Sequence, residues 1–475
     1  MRYKIPFYQF LSLCILAGTF SCKIPSIVSK EENKILPSAF NNVTDSSNMS
    51  TIKWRSYFTD QYLITLIDTA LNNNQELNIA LREIEIGKNE IMARKGEYLP
   101  FVNVGGAARI DKSGKFTFNG MSEEDIKNNP TKNPTYIGDF MIGAYASWEL
   151  DIWKKLHNAK KSAVMKYLSS IEGKNFMVTN IIAEIASSYY ELMALDNLLS
   201  IVQQNILIQD NALQVVKLEK ESAKVTQLAV NRFEAQLLNT KNLQYEIQQR
   251  IIETENTINF LAGRYPQHIK RNTMELNAAP MGIVQSGVPS QLLGNRPDIR
   301  QAEFDLAAAK LDVQVARANF YPSARLVAGI GLNAFNPAYI FKPESILYNL
   351  AGDMVAPLIN KNAIKVTYFN ANLKQTMLVY NYERSILNAY IEVVNQLSKI
   401  DNYDKSYQTK SKEVDILNQS IDISNSLFSS ARADYIEVLL TQREALESKI
   451  ELIEIKLKQM EAKVTIYKAL GGGWN

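Results

Sequence analysis

Residues 295–335 read NRPDIRQAEFDLAAAKLDVQVARANFYPSARLVAGIGLNAF, and the change of period inside them decides the fold. Arg296-Pro297-Asp298 is a helix start: proline has its φ preset for the first turn, and an acid there meets the positive end of the helix dipole. Apolar residues then recur every three or four positions as far as Tyr321-Pro322. Beyond Pro322 the pattern alternates: Leu326, Ala328, Ile330 and Leu332 point one way, Arg325 and Asn333 the other. A long amphipathic helix runs straight into a strand.

The same junction occurs earlier. Residues 74–100 lie over 296–322 without a gap, so that Leu77, Ala80, Ile84, Gly87, Ile91 and Tyr98 fall on Ile299, Ala302, Leu306, Ala309, Val313 and Phe320. Pro100 falls on Pro322, and alternation follows it through Val102, Val104, Ala108 and Ile110. A shared stripe with a shared terminal proline marks an internal duplication. In both halves a polar loop leads to a second alternating run. In 140–151, Phe140, Ile142, Ala144, Ala146, Trp148 and Leu150 face one side, while Tyr145, Ser147, Glu149 and Asp151 face the other. The run 346–358 is its less regular counterpart. Four strands with an apolar outer face fit neither a soluble sandwich nor a complete barrel. They suit a transmembrane barrel assembled from several chains, since lipid tolerates no open sheet edge.

Neither Gly nor Pro occurs in 174–262 or in 358–470 apart from the punctuation at their ends. Breaks in the apolar stripe at Glu219–Lys224 and Ser429–Ala433 divide each tract into a long helix and a shorter return helix. The fold expected is mostly α with a membrane β part. The first repeat is 54–266: lead-in helix 74–97, strands 101–118 and 136–151, long helix 152–220, return helix 226–262. After a linker, 267–294, the second repeat is 295–475: lead-in helix 297–319, strands 323–336 and 345–358, long helix 360–428, return helix 434–470. A further helix is expected over 54–71.

The first 21 residues have the form of an export signal, with Arg2 and Lys4 ahead of an apolar core too short to span a membrane. Cys22 follows, and Cys14 of the leader is the only other cysteine. Ordinary cleavage would leave Cys22 as a lone thiol in an oxidising compartment. Cleavage before it with acylation would make 22–53 a lipid-anchored extended tether, and we take lipidation at Cys22 as the expectation. Lys and Arg number 52 against 49 Asp and Glu, so charge gives no reason to expect a nucleic-acid partner. Two histidines, His157 and His268, stand far apart and suggest surface residues rather than ligands. Glu149 and Asp151 have no nucleophile or ligand set beside them, so neither an enzyme nor a metal or other cofactor is expected.

In this order and spacing, Asn295–Glu303, Ala316–Pro322, Ser147–Asp151, Ala433–Leu439 and Tyr467–Trp474 resemble the TolC-like outer-membrane factor family, in particular its lipoprotein, NodT-type efflux branch. The resemblance implies a homotrimer in which each protomer gives four strands to a 12-stranded β-barrel and long helices to a periplasmic α-helical tunnel. It implies a passive exit channel of a tripartite pump, docked to a periplasmic adaptor (membrane fusion) protein and an inner-membrane RND-type pump. Within the family, the exit duct of a type I protein secretion system is the alternative. A soluble periplasmic coiled-coil scaffold is the alternative of another class.

On this template Glu149, Asp151 and Arg325 are candidates for the barrel lumen, and Ser222, Ala223, Ser430 and Ala431 for adaptor-docking hairpin tips, where family members often carry Gly. Asp434 is a candidate for the periplasmic aperture, where three copies would form a ring of like charge; its other reading is the N-cap of the return helix, with Glu437 completing a capping box. Bacterial cells grown on labelled fatty acid will label the wild-type protein and not Cys22→Ala; label retained by Cys22→Ala contradicts acylation at this site.

Overall fold

The computed structural model describes residues 24–40 except 29, 47–112, 137–272 and 285–474 except 358, 360 and 431, with the isolated positions 114 and 128. The leader, Cys22 and residues 273–284 of the linker lie outside the described residues. The elements run α1 (Gln61–Asn73), α2 (Gln75–Glu97), β1 (Phe101–Asp111), β2 (Ile137–Leu150), α3 (Lys155–Glu221), α4 (Gln227–Leu261), α5 (Pro297–Ala318), β3 (Ser323–Ala334), β4 (Ile346–Val355), α6 (Asn362–Ser429) and α7 (Tyr435–Ala469). The lead-in helices are α2 and α5, the long helices α3 and α6, and the return helices α4 and α7. With 67 and 68 residues, α3 and α6 are each about 100 Å long at 1.5 Å per residue.

The chain forms two compact units. One takes residues 1–31, 85–167 and 304–379, and holds the sheet. Its strand order is β1-β2-β3-β4, every neighbour antiparallel. The lipid-type face is continuous across the register: Val102, Ala146, Ala328 and Leu350 form one row, and Val104, Ala144, Ile330 and Tyr348 the next. Beside the sheet's helix end, Val313, Ala316, Phe320 and Tyr368 make a small core, against which Ile24 and Ile27 pack. Two indole N–H groups tie this rim: Trp148 donates to the Tyr98 carbonyl at 3.0 Å and Trp153 to the Pro322 carbonyl at 2.7 Å.

The other unit takes 32–84, 168–303 and 380–475, and holds the main core. Ile67, Ile182, Ile185, Tyr189, Leu195 and Ile258 are at most 1% exposed. Here the duplication is visible in detail. Each return helix ends in a left-handed glycine, Gly263 with φ 64° and Gly471 with φ 91°. Each end closes with paired backbone bonds, Arg264 N to Asn259 O with Gly263 N to Phe260 O, and Gly472 N to Tyr467 O with Gly471 N to Lys468 O. Each glycine lies against the residue before a lead-in helix: a Cβ on Gly263 would collide with the Asn73 carbonyl, and one on Gly471 with the Asn295 carbonyl. Asn73 and Asn295 correspond in the gap-free overlay. So the end of each return helix abuts the start of its own half's lead-in helix.

The structure departs from expectation in three places. The helix expected over 54–71 is broken into a single turn, Trp54–Tyr57, and α1. Asp60 is the reason: its Oδ1 accepts from the backbone N–H groups of Tyr62 and Leu63, making it the N-cap of α1, while its Oδ2 accepts from the Tyr189 hydroxyl at 2.7 Å. The tether is extended but docked. In the sheet unit Asn372 Nδ2 donates to the Val28 carbonyl at 3.1 Å. In the other unit Lys34 pairs with Glu303 at 2.8 Å, and the fully buried Phe40 stacks on Tyr390. Finally, β1 ends at Asp111 and β4 at Val355, short of 118 and 358; positions 113, 115–118 and 358 lie outside the described residues.

Gly263→Ala and Gly471→Ala will each destabilise the folded protein by about 1–3 kcal/mol, because a left-handed backbone is forced on an L side chain that also meets a carbonyl. Thermal unfolding in detergent checks this; Gly96→Ala, whose Cβ would meet nothing within 4 Å, is the control.

Candidate channel wall and hairpin tips

Alternation and register fix which side chains share a face of the sheet. Glu149 on β2 lies opposite Arg325 on β3, on the face away from Trp148 and Leu326. Lys155 holds Glu149 at 2.6 Å. Two of the three expected lumen residues are therefore on one face and in one row. Asp353 of β4, directly opposite Arg325, extends the row and was not singled out from the sequence. The irregular run around Gly352 hid it, though counting in twos back from Val355 would have found it.

Asp151 is not part of that row. β2 ends at Leu150, and the Asp151 carboxylate turns to the start of α3. Its Oδ1 accepts from Leu156 N at 2.9 Å, and its Oδ2 from His157 N at 2.8 Å, with His157 Nδ1 2.6 Å from the same oxygen. Only 8% of the side chain is exposed. Burial by itself raises its pKa; the N–H groups of His157 and Leu156 and the His157 ring outweigh burial and hold it below the ordinary carboxylate value. The lumen placement fails because a helix start with unsatisfied N–H groups competes for the carboxylate. His157 remains exposed, as the sequence suggested, and also packs its ring on Tyr98.

The Arg296-Pro297-Asp298 start is built into the core. Arg296 is 6% exposed; its guanidinium grips Asp298 through two bonds of 3.0 and 2.7 Å, Glu392 at 2.7 Å and the Ala469 carbonyl at 2.7 Å. In the first half the same junction is made by Asn74, which accepts from Leu77 N and donates to the Leu261 carbonyl. Arg296 and Asn74 are overlaid positions that close the same joint with different chemistry.

At the hairpin tips, α3 ends in a left-handed turn at Ala223, φ 57°, closed by Lys224 N to Glu219 O and Ala223 N to Lys220 O. This is a glycine-type helix end carried by alanine, and Ser222 and Ala223 are exposed. The second tip has the matching bond, Arg432 N to Leu427 O. The Ser430 hydroxyl bonds back to the Ser426 carbonyl, and Ala431 lies outside the described residues. Asp434 is exposed and is the N-cap of α7, its Oδ1 accepting from Ile436 N at 3.5 Å. Tyr435 and Leu439 pack on the core of the first hairpin around Val216, Val230 and Phe233, which brings the two tips together.

Two helices leave apolar stripes open at heptad spacing. Leu238, Tyr245 and Ile252 on α4, and Val366, Leu373, Tyr380 and Leu387 on α6, are all more than half exposed. Among the described residues no group of three or more His, Cys, Asp or Glu is placed to hold a metal ion, and no helix is long and apolar enough to cross a membrane.

A model of the outer membrane efflux protein family matches residues 66–264 and 288–472, one segment in each repeat. The chain belongs to the outer membrane efflux protein family. It is 27% identical over 440 residues to the solvent efflux pump outer membrane protein SrpC of Pseudomonas putida, covering 92% of this chain and 91% of that protein. It is 24% identical over 474 residues to the cation efflux system protein CusC of Escherichia coli (strain K12), covering 99% of each. Among solved structures, the outer-membrane channel OprN superposes with a TM-score of 0.85 at 20% identity, over 94% of this chain and 99% of that one. The chain is an outer-membrane exit channel of a tripartite efflux pump, working as a trimer whose four-stranded sheets form the barrel.

A carboxylate held below its ordinary pKa stabilises the fold above its unfolded-state value and gives that stability up as pH falls through the folded-state value. Acid titration of the wild-type protein, followed by thermal unfolding, will therefore show a loss below about pH 4 that Asp151→Asn reduces, since the amide cannot titrate. Identical acid profiles for the two proteins contradict the assignment.

Proposed function

We infer that the protein carries small toxic solutes, drugs or ions, out of the periplasm, taking them from an inner-membrane RND-type pump through a periplasmic adaptor. One observation supports this most: two helical hairpins of matched length carry their tips together, with Ser222 and Ala223 of the first and Ser430 of the second exposed and Tyr435 and Leu439 packed on the first hairpin. An adaptor that grips helical hairpins needs tips of this kind. SrpC and CusC, named for solvents and for cations, are similar to this chain to nearly the same degree, which fits a duct whose cargo is chosen by the pump.

Asp434 at the second tip serves as a helix cap and, in three copies, as a negative ring at the aperture; the two roles use the same exposed carboxylate. The open stripes on α4 and α6 are the faces offered to neighbouring copies. Lipidation of Cys22 fits the docked strap. Ile24, two residues on in the sequence, packs on the cluster that holds Phe320 at the foot of β3. An acyl chain on Cys22 would enter the membrane next to the barrel. The family consists of transport channels, and we assign the chain no catalytic step.

The test uses a host deleted for its own exit duct and supplied with this chain and its neighbouring pump genes. Restored resistance to small toxic compounds, lost on Ala223→Glu or on Ser430→Glu with trimer levels unchanged, is expected. Restored secretion of a protein substrate with no change in resistance contradicts the reading.

A further inference from the structure

The register places Glu149, Arg325 and Asp353 side by side on three consecutive strands. Directly opposed residues share a face, and the positions just before or after them, Trp148, Leu326 and Gly352, belong to the apolar face. The three charges therefore stand on the inner face, at the end of β2 that leads into the helices. Away from that end the inner face loses all charge. The next rows are Ser147, Val327 and Ala351, then Tyr145, Gly329 and Asn349, then Gly143, Gly331 and Leu347. Charge returns only where Arg109 lies opposite Asp139, about 34 Å along β2 at 3.4 Å per residue.

Cross-strand ion pairs often serve only to hold register. Here the pairing is different. Glu149 is closed by Lys155, which lies beyond the sheet, at 2.6 Å. Among the described residues Arg325 and Asp353 close no ion pair, although their backbones are directly opposed and both side chains are exposed. The row thus holds one neutralised acid and, beside it, one cation and one anion presented to the lumen.

We propose that Arg325 and Asp353 form the charge filter of the barrel's inner mouth. The inference rests on the exit-channel reading. Three copies give a ring of three guanidinium groups and three carboxylates in balance, with the Glu149–Lys155 pairs adding no net charge. Low-dielectric walls focus the field of a charged ring on whatever passes. A balanced ring admits solutes of either sign, and removing one member gives the mouth a sign. Arg325 holds back cations, and Asp353 holds back anions. The uncharged, glycine-rich rows beyond the ring add little selectivity of their own.

The experiment is the reversal potential of the purified full-length trimer in planar bilayers under a potassium chloride gradient. The wild-type channel should select weakly. Arg325→Gln should raise the cation-to-anion permeability ratio severalfold, Asp353→Asn should lower it severalfold, and Arg325→Lys should keep the wild-type value. Conductance steps with the wild-type reversal potential in both neutral variants overturn the filter, as does an Arg325→Lys shift as large as that of Arg325→Gln. A wild-type trimer that gives no conductance steps at all refutes the exit-channel reading, and the filter falls with it.

Discussion

Backbone hydrogen bonding in lipid is the constraint on which the rest of this structure depends. Each chain supplies four antiparallel strands in simple order, so β1 and β4 are edges with unpaired N–H and C=O groups. In hydrocarbon each such group costs several kcal/mol, and no side chain can make good a whole edge. The apolar rows from Val102 to Leu350 place the sheet in that environment. The edges must then meet further copies, β4 of one against β1 of the next, until the ring closes. Assembly of several copies is thus required by the sheet itself, and the helices inherit it. The heptad stripes left open on α4 and α6 are the same requirement expressed in side chains.

The duplication supplies the scaffold that carries the strands. In each half the return helix turns out of its axis at a left-handed glycine and lays its end on the residue before the lead-in helix. Asn74 closes one joint with two side-chain hydrogen bonds, and Arg296 closes the other with a buried ionic network. Breaking a buried pair by removing one partner leaves an uncompensated charge, which is why Arg296, Asp298 and Glu392 act as one unit. The conspicuous Arg-Pro-Asp sequence is therefore a joint in the framework, far in sequence from the hairpin tips.

Much of this was legible in the residues, and the exceptions have physical causes. The helices and strands reveal themselves by period, 3.6 against 2, so nine of the ten main elements lie within three residues of their expected bounds, β1 being the exception. Composition also located the hairpin tips, because small and polar residues interrupt a stripe that otherwise never breaks. What sequence did not show was competition for a single carboxylate. Asp60 ends one turn to cap the next helix, and Asp151 leaves the alternating face to satisfy the start of α3. The strap from Ile24 to Phe40 was equally hidden. It has no period, and its partners Asn372, Glu303 and Tyr390 lie hundreds of residues away. Glu149 and Arg325 were found by alternation, whereas the irregular run around Gly352 hid Asp353.

Electron cryomicroscopy of the full-length protein in lipid nanodiscs measures the closure of the sheet most directly. Three copies around one axis and a closed barrel of twelve strands are expected, with β4 of each copy hydrogen-bonded to β1 of the next. A particle with another copy number, or sheets that end at four strands with open edges, would contradict this assembly.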